Sequence, residues 1–182
     1  MSHRLQVRLL GSLEISCDGQ SLTKPATLKS QSLLAYLIVH RHTPQRRDHL
    51  CNLFWGDRPE SKARGSLSTA LWQIHRCLPD RGFILSDVET VQFNPQADIW
   101  LDVEEFSLRV SVDDVDSLSF GTNIYRGDLL DGFYDDWIID ERYRLESLYC
   151  SALTQLMLAQ EATAKNDMAL VTARRLLRCD SL

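Results

Sequence analysis

The sequence lacks the motifs on which most catalytic and cofactor sites are built. It has no G-x-x-x-x-G-K-[ST] or G-x-G-x-x-G loop for phosphates and no G-x-S-x-G turn for a nucleophilic serine. Its five histidines are scattered, and no H-E-x-x-H pattern occurs. We therefore expect a protein that is not an enzyme and that carries no cofactor or metal.

Paired cysteines and long apolar runs are also missing. The five cysteines are an odd number, and no two stand in a C-x-x-C spacing, which disfavours a disulfide framework and a zinc site. No apolar run approaches the roughly 18 residues that a membrane-spanning helix needs. No apolar signal-peptide region follows the N-terminus. The expected location is the cytoplasm, with no membrane partner.

The net charge is −5, but the two signs are unevenly distributed along the chain. Residues 1–100 contain 12 Lys and Arg against 9 Asp and Glu, whereas residues 101–182 contain 8 against 16. A basic segment followed by an acidic one indicates an anionic partner for the first segment only. An ordinary solvated charged face would give the same pattern.

The first 22 residues follow the alternating pattern of β-strands. Apolar residues alternate with polar ones over residues 5–9 and again over residues 13–17. Asp18-Gly19 follows, and both of these turn residues tolerate a positive φ, so a hairpin returning over residues 20–22 is expected. The chain should open with a small antiparallel sheet.

A helical period replaces the strand pattern after residue 28. Apolar spacing predicts helices over residues 28–40, about 47–54 and 60–78. Residues 83–86 and 91–94 then read as the two strands of a hairpin. Strands, three helices and a closing hairpin are the order of a winged helix-turn-helix.

The rest of the chain is predicted to be helical. Residues 102–110 form a short helix candidate, residues 111–123 read as an irregular polar connection, and long helices are expected over 135–164 and 168–178. The last two helices should pair like one tetratricopeptide-type hairpin. The residues expected to face each other are Ala152, Leu153 and Leu156 on one side and Ala169, Ala173, Leu176 and Leu177 on the other.

The fold class that follows is α+β, with a winged helix over residues 1–97 and a helical region over residues 98–182. A single helical hairpin cannot bury both of its faces, because each repeat of this kind covers its neighbour. The sequence stops where a second hairpin would begin. We therefore expect a truncated helical domain.

Several short segments occur in a characteristic order. They are Leu9-Leu10-Gly11, Asp18-Gly19, the stretch from Leu50 to Trp55-Gly56-Asp57, and Ala63-Arg64-x-Ser66-Leu67 through Ile74 and Leu78. This order resembles the DNA-binding domain of the Streptomyces antibiotic regulatory protein (SARP) family, which is similar to the OmpR/PhoB-type winged helix. Residues 101–106 and 125–130 resemble the bacterial transcriptional activator domain that follows it, built of tetratricopeptide-like helices.

The resemblance implies a transcriptional activator that binds double-stranded DNA at promoter direct repeats as a head-to-tail homodimer. It also implies a contact with RNA polymerase through the loop of Gly56, Asp57 and Arg58. The chain departs from the family where Arg is common, because it has Gln73 and His75 instead. That departure lowers the positive charge of the reading face.

The helix over residues 60–78 is the candidate for the DNA major groove, which is about 12 Å wide and admits one α-helix. Cationic side chains hold phosphates, whereas short polar and amide side chains read base edges. The phosphate candidates are Lys62, Arg64 and Arg76, with Arg46 and Arg47 on the preceding helix. The base-edge candidates are Ser68, Thr69 and Gln73, and Trp72 is expected on a sugar or a thymine methyl.

Less specific interpretations remain open for each of these residues. The polar face of the helix could be merely solvated, Trp72 could pack against the wing, and Trp55 could belong to the core. The wing tip carries Asp87 and Glu89, which are unsuited to the minor groove. The alternative function is therefore a helical protein–protein adaptor whose winged helix does not bind DNA.

Overall fold

A computed structural model describes residues 4–112 and 114–179 of the chain, which form two compact units. The first unit contains residues 4–7 and 13–100, and the second contains residues 8–12 and those from 101 onward. The strands are β1 (Leu5–Arg8), β2 (Glu14–Cys17), β3 (Gln20–Ser21), β4 (Gln45–Arg46), β5 (Ile84–Ser86), β6 (Thr90–Phe93) and β7 (Ile99–Leu101). The helices are α1 (Leu28–Val39), α2 (Arg47–Trp55), α3 (Glu60–Cys77), α4 (Asp102–Val110), α5 (Val115–Ile124), α6 (Asp136–Ala162) and α7 (Asn166–Cys179).

The predicted N-terminal hairpin is confirmed. Strands β2 and β3 pair antiparallel around Asp18 and Gly19, whose φ angles are 50° and 82°. Strand β1 follows β2 in a four-stranded sheet of order β3-β2-β1-β7. The fourth strand, β7, was missed because its three residues contain too little alternation to stand out in the sequence.

The three predicted helices of the first unit are also confirmed. Thr27 caps α1, its hydroxyl accepting a hydrogen bond from the Ser30 amide, while Pro59 precedes the first turn of α3. The apolar stripes of α1, α2 and α3 supply a common core. Its members include Leu33, Leu34, Leu37, Ile38, Leu50, Phe54, Ala63, Leu67 and Ile74, all of which are buried.

The hairpin that follows α3 is part of a three-stranded sheet. Strand β6 lies between β5 and the two-residue strand β4, which the sequence did not reveal. Pairing of Gln45 with Val91 and of Arg46 with Thr90 joins the start of α2 to this sheet. We call β5, β6 and their connecting residues 87–89 the wing.

The second unit corrects one prediction. Residues 111–123 are not simply an irregular connection, because α5 begins at Val115, after an Asp114 cap whose carboxylate accepts the Ser117 amide. Leu118 of α5 packs with Ala152 and Leu156 of α6. The apolar stripe of α5 is narrow and interrupted by serines, so it carried too weak a periodic signal to be recognised.

Helices α6 and α7 form the predicted antiparallel hairpin. Ala152, Leu153 and Ala169 are buried as expected, and the Thr172 hydroxyl donates to Gln160 Oε1 at 2.8 Å. Leu177 was wrongly assigned to the contact face, since its side chain is 68% exposed. No helix in the described ranges has both the length and the apolar character of a membrane span.

Residues 8–12 belong to the helical unit, although Arg8 is the last residue of β1 and residues 9–12 follow that strand directly. The Leu9 and Leu10 amides donate to the buried carboxylate of Asp102, at 2.8–2.9 Å. Leu10 also forms a β-bridge with Leu129, and the Gly11 amide donates to the Asp128 carbonyl. The two sequence segments 9–11 and 125–130 therefore meet in space.

Candidate nucleic-acid interface

Helix α3 buries one face and presents the other to solvent. With about 100° between successive residues, the side opposite the buried Leu67 and Ile74 is occupied by short and polar residues. The outward residues of α3 are Ser61, Gly65, Ser68, Thr69, Trp72 and Arg76, all exposed. The predicted reading residues Ser68 and Thr69 are thus accessible, and neither lies beneath another element.

The hydroxyl hydrogens of Ser68 and Thr69 are already engaged within α3. Ser68 Oγ donates to the Arg64 carbonyl and Thr69 Oγ1 donates to the Gly65 carbonyl, each at 3.0 Å. A hydroxyl has one donor and two acceptor lone pairs, so the outward side of each oxygen can still accept. With their hydrogens engaged in this way, the two hydroxyl oxygens can accept hydrogen bonds from the amino groups of adenine or cytosine.

Gln73 lies on the flank of α3 that faces α1. Its Oε1 atom accepts a long hydrogen bond of 3.4 Å from the Thr27 hydroxyl, and the side chain is half-buried. A bidentate contact with adenine needs both the oxygen and the nitrogen of the amide. Gln73 would therefore have to release Thr27 to make that contact.

Trp72 and Arg76 form a pair at the C-terminal end of the outward face. The Trp72 side chain is 57% exposed, and the Arg76 guanidinium lies 4.9 Å from its ring centroid. Trp72 also lines a shallow cleft of about 330 Å³ with Ser86 of β5. Both of its interpretations therefore have a structural basis, an outward aromatic surface and a position beside the wing.

His75 lines the same cleft on the wing side of α3. Burial lowers its pKa, and the charge of Arg81 lowers it further. Its Nδ1 atom is the one buried side-chain nitrogen or oxygen within residues 4–112 and 114–179 that lacks a hydrogen-bond partner. The imidazole is therefore held in a position that favours its neutral form.

A first groove, the wing-side groove, lies between α2, α3 and the wing and has a volume of about 710 Å³. Its lining includes three arginines, Arg46, Arg47 and Arg64, and three carboxylates, Asp48, Asp87 and Glu89. The exposed Arg64 guanidinium contacts Asp48 at 3.2 Å and Glu60 at 2.8 Å. Positive and negative charges thus balance on this side of α3.

The Arg47 side chain forms hydrogen bonds with the wing. Its Nε atom donates to the Asp87 carbonyl at 2.8 Å, and its Nη2 atom donates to Ser86 Oγ at 2.6 Å. These two bonds fasten the first residue of α2 to the wing turn. The predicted phosphate contact of Arg47 would have to use the guanidinium hydrogens that remain.

The acidic wing tip has a local structural role that the sequence did not reveal. The Asp87 carboxylate accepts hydrogen bonds from the Thr90 and Glu89 amides and from the Thr90 hydroxyl. These bonds lower the pKa of Asp87 and close the turn between β5 and β6. An acidic residue here is explained by turn formation, which side chains of this type favour.

A second groove, the α1-side groove, lies on the opposite flank of α3 and has a volume of about 650 Å³. Its lining combines the cations Lys29, Arg58 and Lys62 with the hydroxyls of Thr27, Ser30, Ser66 and Thr69. Gly65 contributes to it, and a Cβ atom there would meet no atom within 4 Å. The described residues that line this groove include no carboxylate.

The turn between α2 and α3 is well defined. Trp55 is buried, as its less specific interpretation required, and the Arg58 amide donates to the Trp55 carbonyl at 3.0 Å. Gly56 is required here, because a Cβ atom would lie 2.6 Å from the Asn52 carbonyl oxygen. Gly56, Asp57 and Arg58 are all exposed.

A three-helix unit with an exposed polar third helix and a β-hairpin wing is the architecture of winged-helix proteins. A separate helical unit accompanies it here. The fold and its accessible α3 thus define the chain as a protein of the winged-helix class.

Comparison with known proteins finds sequence similarity to transcriptional regulators. The chain is 32% identical over 79 residues to the transcriptional regulatory protein EmbR of Mycobacterium tuberculosis, and to its counterpart from Mycobacterium bovis. It is 31% identical over 78 residues to the transcriptional regulatory protein MoaR1 of Mycobacterium tuberculosis. Each match covers 43% of this chain, but only 20% of EmbR and 25% of MoaR1. No protein-family model matches the chain.

A solved structure agrees in fold over the whole chain. Mycobacterium tuberculosis EmbR, in complex with a low-affinity phosphopeptide, superposes with a TM-score of 0.64 at 19% identity, covering 100% of this chain and 61% of that one. The chain is therefore similar in sequence to the EmbR and MoaR1 transcriptional regulators over 78–79 residues, and similar in fold to EmbR. The resemblance to SARP-type regulators that its motifs indicated is confirmed.

Proposed function

We propose that the chain is a DNA-binding transcriptional regulator that places α3 in the major groove. The observation that carries this proposal is the outward face of α3, which is polar, accessible and bordered by cations on both flanks. Homology to two transcriptional regulators supports it. In this proposal, residues 1–97 bind DNA and residues 98–182 belong to an activator domain. The protein would act in the cytoplasm, where it can reach the chromosome.

The proposal assigns two kinds of contact. Ser68, Thr69 and Gln73 read base edges, and Trp72 meets a sugar or a thymine methyl. Five cations contact phosphates, namely Arg46, Arg47, Lys62, Arg64 and Arg76. Five such contacts would give log Kobs a slope of roughly −4.5 against log salt concentration.

The test begins with selection of bound duplexes from a random library, followed by anisotropy titrations at several salt concentrations. We expect an enriched motif in two direct copies and a steep salt dependence. S68A/T69A should reduce discrimination between the selected and a scrambled duplex by about 1–3 kcal/mol, while leaving binding to the scrambled duplex unchanged. Failure to enrich any sequence would contradict the proposal.

Activation through RNA polymerase is a further part of the proposal. Gly56, Asp57 and Arg58 are exposed in the turn that precedes α3, where a second protein can reach them. D57A should lower transcription from the selected promoter in a purified system and leave DNA affinity unchanged. Equal transcription by D57A and the parent protein would remove Asp57 from that contact.

Pairing on DNA is tested separately. Duplexes carrying one or both copies of the selected repeat should give one or two shifted species, with the second copy of the protein binding more tightly than the first. Independent binding to the two repeats would contradict a cooperative head-to-tail homodimer.

An adaptor function is the second candidate. The observation that favours it is the balance of charges in the wing-side groove, together with exposed apolar side chains on α7, among them Leu170, Val171 and Leu177. An adaptor would show no gel shift with any genomic fragment at low salt. The variant R64A/R76A would then leave its partner binding unaffected.

A further inference from the structure

We propose that Cys150 and Cys179 form a reversible disulfide bond when the protein meets a hydroperoxide, and that this bond ties the end of α7 to α6. Both residues carry free thiols in the structure, and they lie on the two helices of one hairpin. The proposal concerns the helical unit alone, so it does not depend on DNA binding.

The two thiols lie close together across the hairpin. The side chains of Cys150 and Cys179 are hydrogen-bonded to each other. Cys179 Sγ also donates to the Arg175 carbonyl at 3.5 Å, so its side chain points back along α7 towards that turn. A disulfide needs an S–S distance of about 2.05 Å, which two thiols already in contact can reach by rotating their side chains.

Two further contacts fix the register of α6 against α7. Near the connection between the helices, the Thr172 hydroxyl donates to Gln160 Oε1 at 2.8 Å. Further along, Arg175 Nη2 donates to the Tyr149 hydroxyl oxygen at 3.0 Å. Arg175 stands one helical turn before one cysteine of the pair, and Tyr149 directly precedes the other. The packing that joins these side chains therefore also brings the two thiols together.

The surroundings of the pair decide which sulfur reacts first. Burial and, to a lesser extent, the neighbouring Cys150 thiol raise the pKa of Cys179 to about 12. Cys179 therefore keeps its proton, and the partly exposed Cys150 is the sulfur that attacks the peroxide. Its thiolate takes one oxygen of the O–O bond and becomes a sulfenic acid, while the other oxygen leaves as an alcohol or, from hydrogen peroxide, as water.

The second step closes the disulfide. Cys179 Sγ displaces the hydroxyl group of the Cys150 sulfenic acid, and that group leaves as water with the Cys179 proton. Two thiols and one hydroperoxide thus give one disulfide, one alcohol and one water, and two electrons pass from the sulfurs to the peroxide. Disulfides that form in a reducing compartment are usually transient and respond to oxidants. Because the bond restricts the unfolded chain, the oxidised hairpin should be more stable than the reduced one.

The test treats the whole chain with hydrogen peroxide, blocks the remaining thiols with an alkylating reagent and measures intact mass and proteolytic peptides. We expect a loss of about 2 Da before alkylation, a peptide that links α6 to α7, and reversal of both by dithiothreitol. The melting temperature of the oxidised protein should rise by roughly 5–15 °C. C150S and C179S should each abolish the linked peptide.

The matched control is C77S, which removes a cysteine of the first unit that is partly buried like the pair. This variant should still form the linked peptide in the same yield as the parent. Alkylation of both Cys150 and Cys179 after peroxide treatment would overturn the proposal, and so would equal yields of the linked peptide from folded and urea-unfolded protein. The peptide map of the parent chain decides the question even if a serine variant does not fold.

Discussion

Gly65 occupies a helical position at which the winged-helix unit does not require a glycine. Its φ is not positive, and a Cβ atom would meet nothing within 4 Å. Glycine in the interior of a helix costs about 0.5–1 kcal/mol relative to alanine, because the unfolded chain has more freedom to lose. Gly65, at the centre of the outward face of α3, therefore makes the protein less stable than an alanine at this position would.

We expect Gly65→Ala to raise the free energy of unfolding by about 0.5–1 kcal/mol in urea denaturation. Gly121→Ala is the matched control, since it is also a helical glycine. Its added Cβ would lie 2.9 Å from the Arg109 Cβ, so that variant should be less stable than the parent. A loss of stability in Gly65→Ala would mean that an unrecognised contact needs the glycine.

Asp102 is a buried carboxylate that gathers backbone donors from two distant parts of the sequence. It accepts the amides of Leu9, Leu10 and Val103. Each buried donor left without a partner costs about 1–3 kcal/mol, so Asp102→Ala should destabilise the protein by about 3 kcal/mol or more. Asp102→Asn keeps one acceptor oxygen and should lose less. Equal stability of Asp102→Ala and the parent in urea would rule out this role.

At the scale of elements, α3 combines a buried, mostly apolar inner face with an exposed, mostly polar outer one. Its buried positions determine that a helix forms and where it packs, whereas its exposed positions are free to serve recognition. His75 lies between these faces. Its imidazole is partly buried, and the charge of Arg81 acts on it.

The lowered pKa of His75 predicts a pH dependence of stability. The unfolded chain binds a proton on this histidine near pH 6.5, whereas the folded protein binds it only at lower pH. Its contribution to stability is therefore complete above about pH 6.5 and is lost as the pH falls through the folded pKa. We expect His75→Gln to lose less stability than the parent between about pH 7.5 and pH 5.5 in urea denaturation. Identical losses would show that other groups govern this range.

Strand β4 and helix α5 show why sequence analysis misses some elements. Strand β4 has two residues and is defined only by its pairing with β6. Helix α5 is held by Leu118 against α6 and by close approach of Gly121 to α4. Neither has enough local periodicity to be recognised alone, because the partners that stabilise them are distant in sequence.

At the scale of the whole molecule, the chain passes between the two units three times. Residues 8–12 leave the N-terminal sheet and join the helical unit, and the chain then returns to form β2. Leu10 is fully buried and bridges to Leu129. A substitution near the N-terminus should therefore change the stability of the C-terminal half of the sequence.

We expect Leu10→Ala to destabilise the helical unit by about 2–5 kcal/mol, the usual cost of removing a buried leucine side chain. Hydrogen exchange should speed up at residues 125–133 and in α4. Leu85→Ala, at an exposed position of β5, serves as the control and should leave those amides unchanged. Faster exchange confined to the first unit would contradict the assignment of residues 8–12.

The sequence by itself determined the order of elements in the winged helix, the buried stripe of α3 and the uneven charge, because apolar periodicity and turn residues are local properties. The tertiary structure alone decided how the charges combine. It pairs Arg64 with Asp48, joins Arg47 to the wing through hydrogen bonds, and brings Lys29 into the same groove as Arg58 and Lys62. Charges interact through distance in space, and residues 29 and 62 are close only once α1 and α3 have packed together.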